Sequence, residues 1–288
     1  MKISILSAVH KNLNDLREYI ESVKNFTTCD YELIIVNNGA GPDIKQYLDS
    51  VKSSTVKPIH LASNVGIGMA MNIAVSVAAT DHLFKVDTDC VIQDLGWAEK
   101  MVDIIRADKT IGTVGTQAGV LKRDAEGKML LGYIQGCCQY IPRETIEKVR
   151  SCFGVHNRDR LLSAIDDELS LEREKYDGYF RDLALFKHYL QTTLGYWDLA
   201  YFYGVDDFDY DLAIRYAGMH VALAKVKVLH KDASLNTGNT KKDLAARARN
   251  VQMGFSYFRT KWDFIRRVCG DPSDIILAVL SACFGDYK

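Results

Sequence analysis

Residues 83–92 read LFKVDTDCVI. An apolar run breaks at Asp87, resumes at Cys90, and leaves two aspartates where a buried strand ends. Carboxylates at the edge of a core call for a partner. Residues two apart on an extended chain point to one side, so Asp87 and Asp89 can approach one cation. Hard oxygen donors suit Mg2+ or Mn2+, and the ion's charge makes two close carboxylates tolerable. Alone, the D-x-D pattern also fits a pair of loop caps.

The surrounding sequence shows that this run is the fourth of its kind. ISILSAV (3–9) reads as a first strand, followed by the amphipathic LNDLREYIESV (13–23). YELIIVNNG (31–39) is a second strand running into a turn, and Pro42 opens a short helix. KPIHLA (57–62) is a third strand, after which Asn64 is expected to cap a helix through 69–79. Strands alternating with helices on short links predict an α/β, doubly wound, largely parallel sheet. Such sheets bind ligands beyond the C-terminal ends of their strands. Asn37–Gly39, Asn64–Gly68 and Asp87–Asp89 should therefore meet on one rim.

Beyond residue 96 the pattern changes. WAEKMVDIIRAD is a helix, and TIGTVGTQAGV (110–120) and MLLGYIQGCCQYI (129–141) read as strands of a mixed sheet. Residues 157–192 are helical, with a break expected at Asp177-Gly178. HVALAKVKVLH (220–230) is a strand, and the chain from 241 is helical and locally basic.

Composition narrows the class. The 288 residues suit one large α/β domain with appendages, and the net charge of -1 gives no case for a nucleic-acid partner. Seven scattered cysteines without a C-x-x-C pair disfavour a zinc ribbon and fit reduced thiols in a cytoplasm. The chain opens on a strand-like segment, with no signal peptide read from it. IILAVLSACF (275–284) is about half a bilayer span, and is expected to pack on the body as a helix.

Other motifs carry two readings each. Gly66-x-Gly68 suggests a dinucleotide loop, but it follows the third strand, and Met71 stands at the third glycine position. The aspartates of 206–211 resemble a calcium loop, but Leu212 and Gly218 replace the required glycine and glutamate. These aspartates then read either as a solvated acidic helix start or as a general base. His230 ends a strand, either as a structural residue or as a nitrogen ligand near the D-x-D site. There is no G-x-x-x-x-G-K-[ST], G-x-S-x-G or H-E-x-x-H.

In order along the chain, KISILSAVHKN, VNNG, NVGIGMAMN, VDTD, IGTVG, LGYWDLAYFYGVDDFDYDLAIRYAG, VKVLH and YFRTKW resemble the successive motifs of a family 2 glycosyltransferase of the GT-A fold. The resemblance implies a Rossmann-like, doubly wound mixed sheet. It implies a catalytic domain over 1–240, with a nucleotide-sugar half (1–95) and an acceptor half (96–240). Residues 241–288 would form a C-terminal helical extension. It further implies an inverting, metal-dependent transfer from a nucleotide-diphosphate sugar, UDP-linked by preference, to a saccharide, lipid-linked or protein acceptor. Asp89 would bind Mn2+ or Mg2+, with Asp87 nearer the ribose or a metal-bound water, and His230 would complete the coordination. Asp207 matches the catalytic base and Asp206 its acidic neighbour. Ala8, Asn37, Asn64, Gly66 and Asn72 fall at donor-binding positions, Asn37 replacing the usual aspartate.

About forty residues near 151–193 interrupt the family pattern and are expected to wall the acceptor site or to serve as a structural contact. The basic residues Lys241, Lys242, Arg247, Arg249, Arg259, Lys261, Arg266 and Arg267 read either as a solvated helix face or as groups that close over a diphosphate or touch anionic lipid or a phosphorylated acceptor. A nucleotidyltransferase would instead want a Gly-rich basic loop after the first strand, which SAVHKNLND does not supply. A binding module with a dead site is the remaining alternative.

Overall fold

The computed structural model describes residues 1–123, 125–126, 129–170, 177–231, 241–271 and 273–285. Its central element is β1 (Lys2–Val9), whose run KISILSAV is buried on both faces. β1 pairs in parallel with β2 (Asp30–Asn38) on one side and β4 (His82–Val86) on the other. α1 (Leu13–Phe26), α2 (Pro42–Val51), β3 (Val56–Leu61) and α3 (Ile67–Val77) complete the first half. Ile3 and Ile5 point into one core with Leu16, Tyr19 and Trp97, while Leu6 points into the other with Met71 and Trp197. A strand covered on both faces must be apolar throughout, which explains the unbroken run.

β5 (Cys90–Ile92) and α4 (Trp97–Ala107) lead to β6 (Ile111–Gly115), β7 (Ala118–Arg123), β8 (Met129–Ile134) and β9 (Cys138–Pro142). The two long strands expected over 110–120 and 129–141 are thus four short ones. β6 and β9 join the main sheet, with β9 antiparallel to both β4 and β6, while β7 and β8 form a separate antiparallel pair. The chain leaves the sheet at Thr116–Gln117 and re-enters after Gln135–Cys137, beside the cleft described below. HVALAKVKVLH likewise divides. β10 (His220–Leu223) extends the main sheet parallel to β6, and β11 (Val228–His230) pairs antiparallel with β5. The seven-stranded sheet runs β10-β6-β9-β4-β1-β2-β3, a mixed α/β sheet that is largely parallel.

α5 (Arg143–Leu169) starts well before residue 157 and kinks at Gly154 (φ 52°). The break expected at Asp177-Gly178 falls at the start of α6 (Asp177–Thr192), and residues 171–176 lie outside the described residues. α7 (Asp206–Tyr216), α8 (Lys241–Cys269) and α9 (Ile275–Phe284) complete the chain. α9 buries Ile276, Val279 and Leu280 against the body, as an apolar helix too short to span a bilayer should. No helix among the described residues is long and apolar enough to cross a membrane.

Asn64 does not cap α3. The cap position is Gly66, and the Asn64 Oδ1 accepts the Gly66 N–H (2.9 Å) and a donor from the Asn38 side chain (3.0 Å). It therefore fixes the turn before the helix rather than the helix itself.

Glu32, buried on β2, ties the first half together. Its carboxylate accepts from Ser4 Oγ (2.6 Å) on β1, Lys57 Nζ (2.6 Å) on β3 and the Ala79 N–H (2.6 Å) after α3. Burial by itself would raise this carboxyl, but these donors more than offset it and hold it below the ordinary value. A depressed carboxyl stabilises the fold above its unfolded pKa, and that contribution disappears as pH falls through the folded one. Glu32→Gln should cost about 1–3 kcal/mol at neutral pH in urea unfolding. The gap to the unsubstituted protein should begin to narrow as pH falls past the unfolded glutamate value of about 4.3 and should close only below the depressed folded one.

Candidate functional site

β1, β2 and β4 end on a cleft of about 770 Å³. Ala8, Asn64, Asp87, Asp89, Asp206, Asp207 and His230 all line it, although they come from five separate segments. Three residues expected at the donor site do not. Asn37 is 2% exposed, its Oδ1 accepting the Ala40 N–H (2.8 Å) and its Nδ2 meeting His60 Nδ1 (3.1 Å). Gly66 has φ +85°, and a Cβ there would stand 3.0 Å from the Phe202 ring. Asn72 holds the Trp197 backbone through both its amide atoms, at 2.8 and 3.1 Å. Gly66 and Asn72 thus dock α3 against residues 197–202, the segment leading to the cleft.

One corner of the cleft is built from β5 and β11. Their register places Cys90 opposite His230, and Lys231 N–H donates to the Asp89 carbonyl (3.0 Å). His230 Nε2 lies 3.5 Å from Asp89 Oδ1. Hydrogen bonds to Asp89 and to Cys137 raise this imidazole to about 10, a measure of how strongly the corner favours positive charge. Donor atoms of Asp89, Cys90 and His230 all lie within 4.8 Å of one another, so the residues present fit a divalent cation.

The other corner is organised by Lys85, a buried cation inside an apolar strand. Its Nζ donates to Asp87 Oδ1 (3.1 Å) and to the Gly136 carbonyl (2.5 Å). The Gly136 N–H donates to Asp207 Oδ2 (3.0 Å), and the Phe208 N–H to Asp207 Oδ1 (2.8 Å). A side chain at Gly136 would collide with Lys85 Nζ at 2.6 Å. Loss of water raises the Asp87 carboxyl to about 6, with Lys85 opposing and Asp89 adding to the shift. Burial, then repulsion from Asp207, raises Asp206 as well.

Backbone strain introduces α7. Gly204 (φ +73°) and Val205 (φ +70°) precede Asp206, and a β-branched residue in the left-handed region is a true outlier. The turn delivers Asp206 and Asp207 to the cleft in the first turn of the helix. The rest of α7's acidic face is not solvated. Lys261, 1% exposed, donates to Asp209 Oδ2 (2.8 Å) and Asp198 Oδ2 (2.9 Å). Tyr201 and Trp262 also donate to Asp209, and Tyr257 to Asp198.

The basic stretch is therefore not one face. Lys261 is turned inward, Arg266 and Arg267 pair with Asp263, and Arg259 lies over Phe284. Arg247 lines the cleft and lies over the Tyr203 ring at 4.6 Å. The side chains of Lys241 and Lys242 lie outside the described residues. Among the described residues of 151–193, none lines this cleft. Leu161, Ile165, Leu183, Phe186 and Leu190 are core residues, packing α5 and α6 with α8.

Sequence reasoning missed Lys85, Asn38 and Gly136. A lysine in the middle of LFKV was a readable sign of a buried counter-ion, whereas Gly136 gave no local signal.

A profile of glycosyl transferase family 2 matches residues 4–168. The chain belongs to this family. The match ends before α7, so Asp206, Asp207 and His230 lie beyond it. A curated relative, an uncharacterized glycosyltransferase of Rickettsia bellii (strain RML369-C), is 24% identical over 129 residues. That alignment spans 45% of this chain and 18% of the relative's length. Among solved structures, GalNAc-T7 with UDP, GalNAc and Mn2+ superposes with a TM-score of 0.55 at 14% identity, over 80% of this chain and 44% of that one. The mannosyltransferase PcManGT of Pyrobaculum calidifontis, with GDP-Man and Mn2+, gives 0.51 at 10% identity over 97% and 78%. At such identities the likeness is one of fold, and the fold of this family 2 chain is that of the GT-A glycosyltransferases.

Lys261→Met should cost about 3–5 kcal/mol in chemical unfolding, because it strands two buried carboxylates. Adding Asp198→Asn and Asp209→Asn should restore part of that loss.

Proposed function

We propose that the chain is an inverting, metal-dependent glycosyltransferase that moves a sugar from a nucleotide-diphosphate donor, UDP-linked by preference, to an acceptor hydroxyl. One observation carries this reading: the Asp89–His230 corner and the Asp207 carboxylate face the same cleft. Family membership and the GT-A fold support it.

The roles follow from position. Ala8, Asn38 and Asn64 stand at the ends of β1, β2 and β3 and form the nucleoside side of the cleft. Asp89 and His230 hold the divalent ion, Mn2+ or Mg2+. When bound, such an ion neutralises charge on the departing diphosphate. Asp87, held by Lys85, faces the ribose side. Asp207 keeps one oxygen on the Gly136 N–H and the other on the Phe208 N–H, which fixes its plane. The carboxylate accepts the acceptor's proton while that oxygen bonds to C1 of the sugar. The bond from C1 to the diphosphate oxygen breaks on the opposite face, and its electron pair leaves with the diphosphate. One displacement inverts the anomeric centre and needs no second carboxylate nucleophile.

The test is a panel of nucleotide-sugars with Mn2+, with and without EDTA, reading both binding and hydrolysis. At least one donor should turn over only with metal. Asp207→Asn should keep donor affinity and lose about 10²–10⁴ in kcat. Asp89→Ala should weaken donor binding itself. Absence of metal-dependent binding or turnover for every donor would overturn the proposal.

A further inference from the structure

The corner that holds Asp89 and His230 contains a third donor that a site for hard cations does not need. Cys90 is fully buried and is the register partner of His230 across the β5–β11 pair. Directly opposed residues of an antiparallel pair project to the same face, which puts thiol and imidazole side by side. The Asp89 carboxylate completes a triangle whose donor atoms lie within 4.8 Å of one another. Carboxylate oxygen, imidazole nitrogen and thiolate sulfur together form a donor set for Zn2+ or Co2+, since thiolates select softer ions than Mg2+ or Mn2+.

We propose that Cys90 is a third metal ligand, and that the corner binds Zn2+ through sulfur in competition with the ion used for transfer. This rests on reading Asp89 and His230 as metal ligands. On binding, the Cys90 S–H loses its proton to solvent and the sulfur bonds to the ion. The thiol's present contacts are weak, Sγ to the Cys137 carbonyl at 3.2 Å and to the Cys137 thiol. That carbonyl also accepts the Asp87 N–H at 2.8 Å, so it stays satisfied when the thiol turns to the ion. The inward position of Cys90 also defines the geometry of this mode. Cys90 does not line the cleft that Asp87 and Asp207 line, so an ion held by its sulfur would be drawn away from them. Zn2+ should therefore inhibit transfer rather than support it.

The experiment uses the full chain, stripped with EDTA, and Co2+ alone as probe. Co2+ binding, followed by calorimetry, should be accompanied by a sulfur-to-cobalt charge-transfer band in the near ultraviolet. Cys90→Ser should still bind Co2+ but lose the band and bind Zn2+ at least about tenfold more weakly. Cys137→Ser should keep the band. Cadmium NMR of the unsubstituted protein needs no variant, and its resonance should fall in the sulfur-ligated range. Co2+ binding without a charge-transfer band, or a band lost in Cys137→Ser and kept in Cys90→Ser, would overturn the assignment of Cys90 while leaving the metal site standing. No Co2+ binding at all would overturn the metal site and this proposal together.

Discussion

Lys261 sits between Asp198 and Asp209 with almost no access to water. One cation facing two carboxylates leaves a net negative charge inside the body. It persists because Tyr201 and Trp262 donate to the second Asp209 oxygen, and Tyr257 to the Asp198 oxygen that Lys261 also holds. The three charged residues come from α8, α7 and the segment before it. Their pairing sets where α7 begins, and hence where Asp206 and Asp207 enter the cleft. Lysine in this core is thus a positional constraint, not a surface charge, and the strained turn at Gly204–Val205 is held against it.

The cleft applies the same logic with the opposite outcome. Asp87, Asp89, Asp206 and Asp207 converge there, and Lys85 is the buried cation among them. Lys85 is spent on Asp87 and on the Gly136 carbonyl. Positive charge is therefore still called for at the Asp89 corner, where His230 is raised for that reason. The cleft is divided into a corner that takes a cation and a corner that fixes a base, and Gly136 organises the second by holding Lys85 with its carbonyl and Asp207 with its N–H.

The first half of the fold was legible because β1, β2 and β4 are buried on both faces and appear as apolar runs ending in turn residues. Asp87 and Asp89 stood out for a related reason, since charge at the end of such a run is costly, whereas Asp207 and His230 stood out only through the family resemblance of their motifs. The misreadings share a cause. Residues 110–120, 129–141 and 220–230 each contain two strands, and the first two breaks fall at residues that line the cleft, which local sequence does not show. Asn37, Gly66 and Asn72 are polar or small at the right positions, but Asn37 bonds to Ala40 and His60, Asn72 bonds to the Trp197 backbone, and Gly66 packs closely on Phe202.

The sequence by itself determined an α/β sheet with acidic residues on its C-terminal rim, because hydrophobic periodicity and the cost of burying charge are local properties. Only the tertiary structure decided how those charges are shared. Whether Lys261 faces solvent or two aspartates, whether Cys90 stands beside His230, and whether Lys85 reaches Gly136 all depend on contacts between residues more than fifty positions apart or on strand register. Coulomb interactions and donor geometry follow distance in space, and that distance is fixed only when the strands and helices pack.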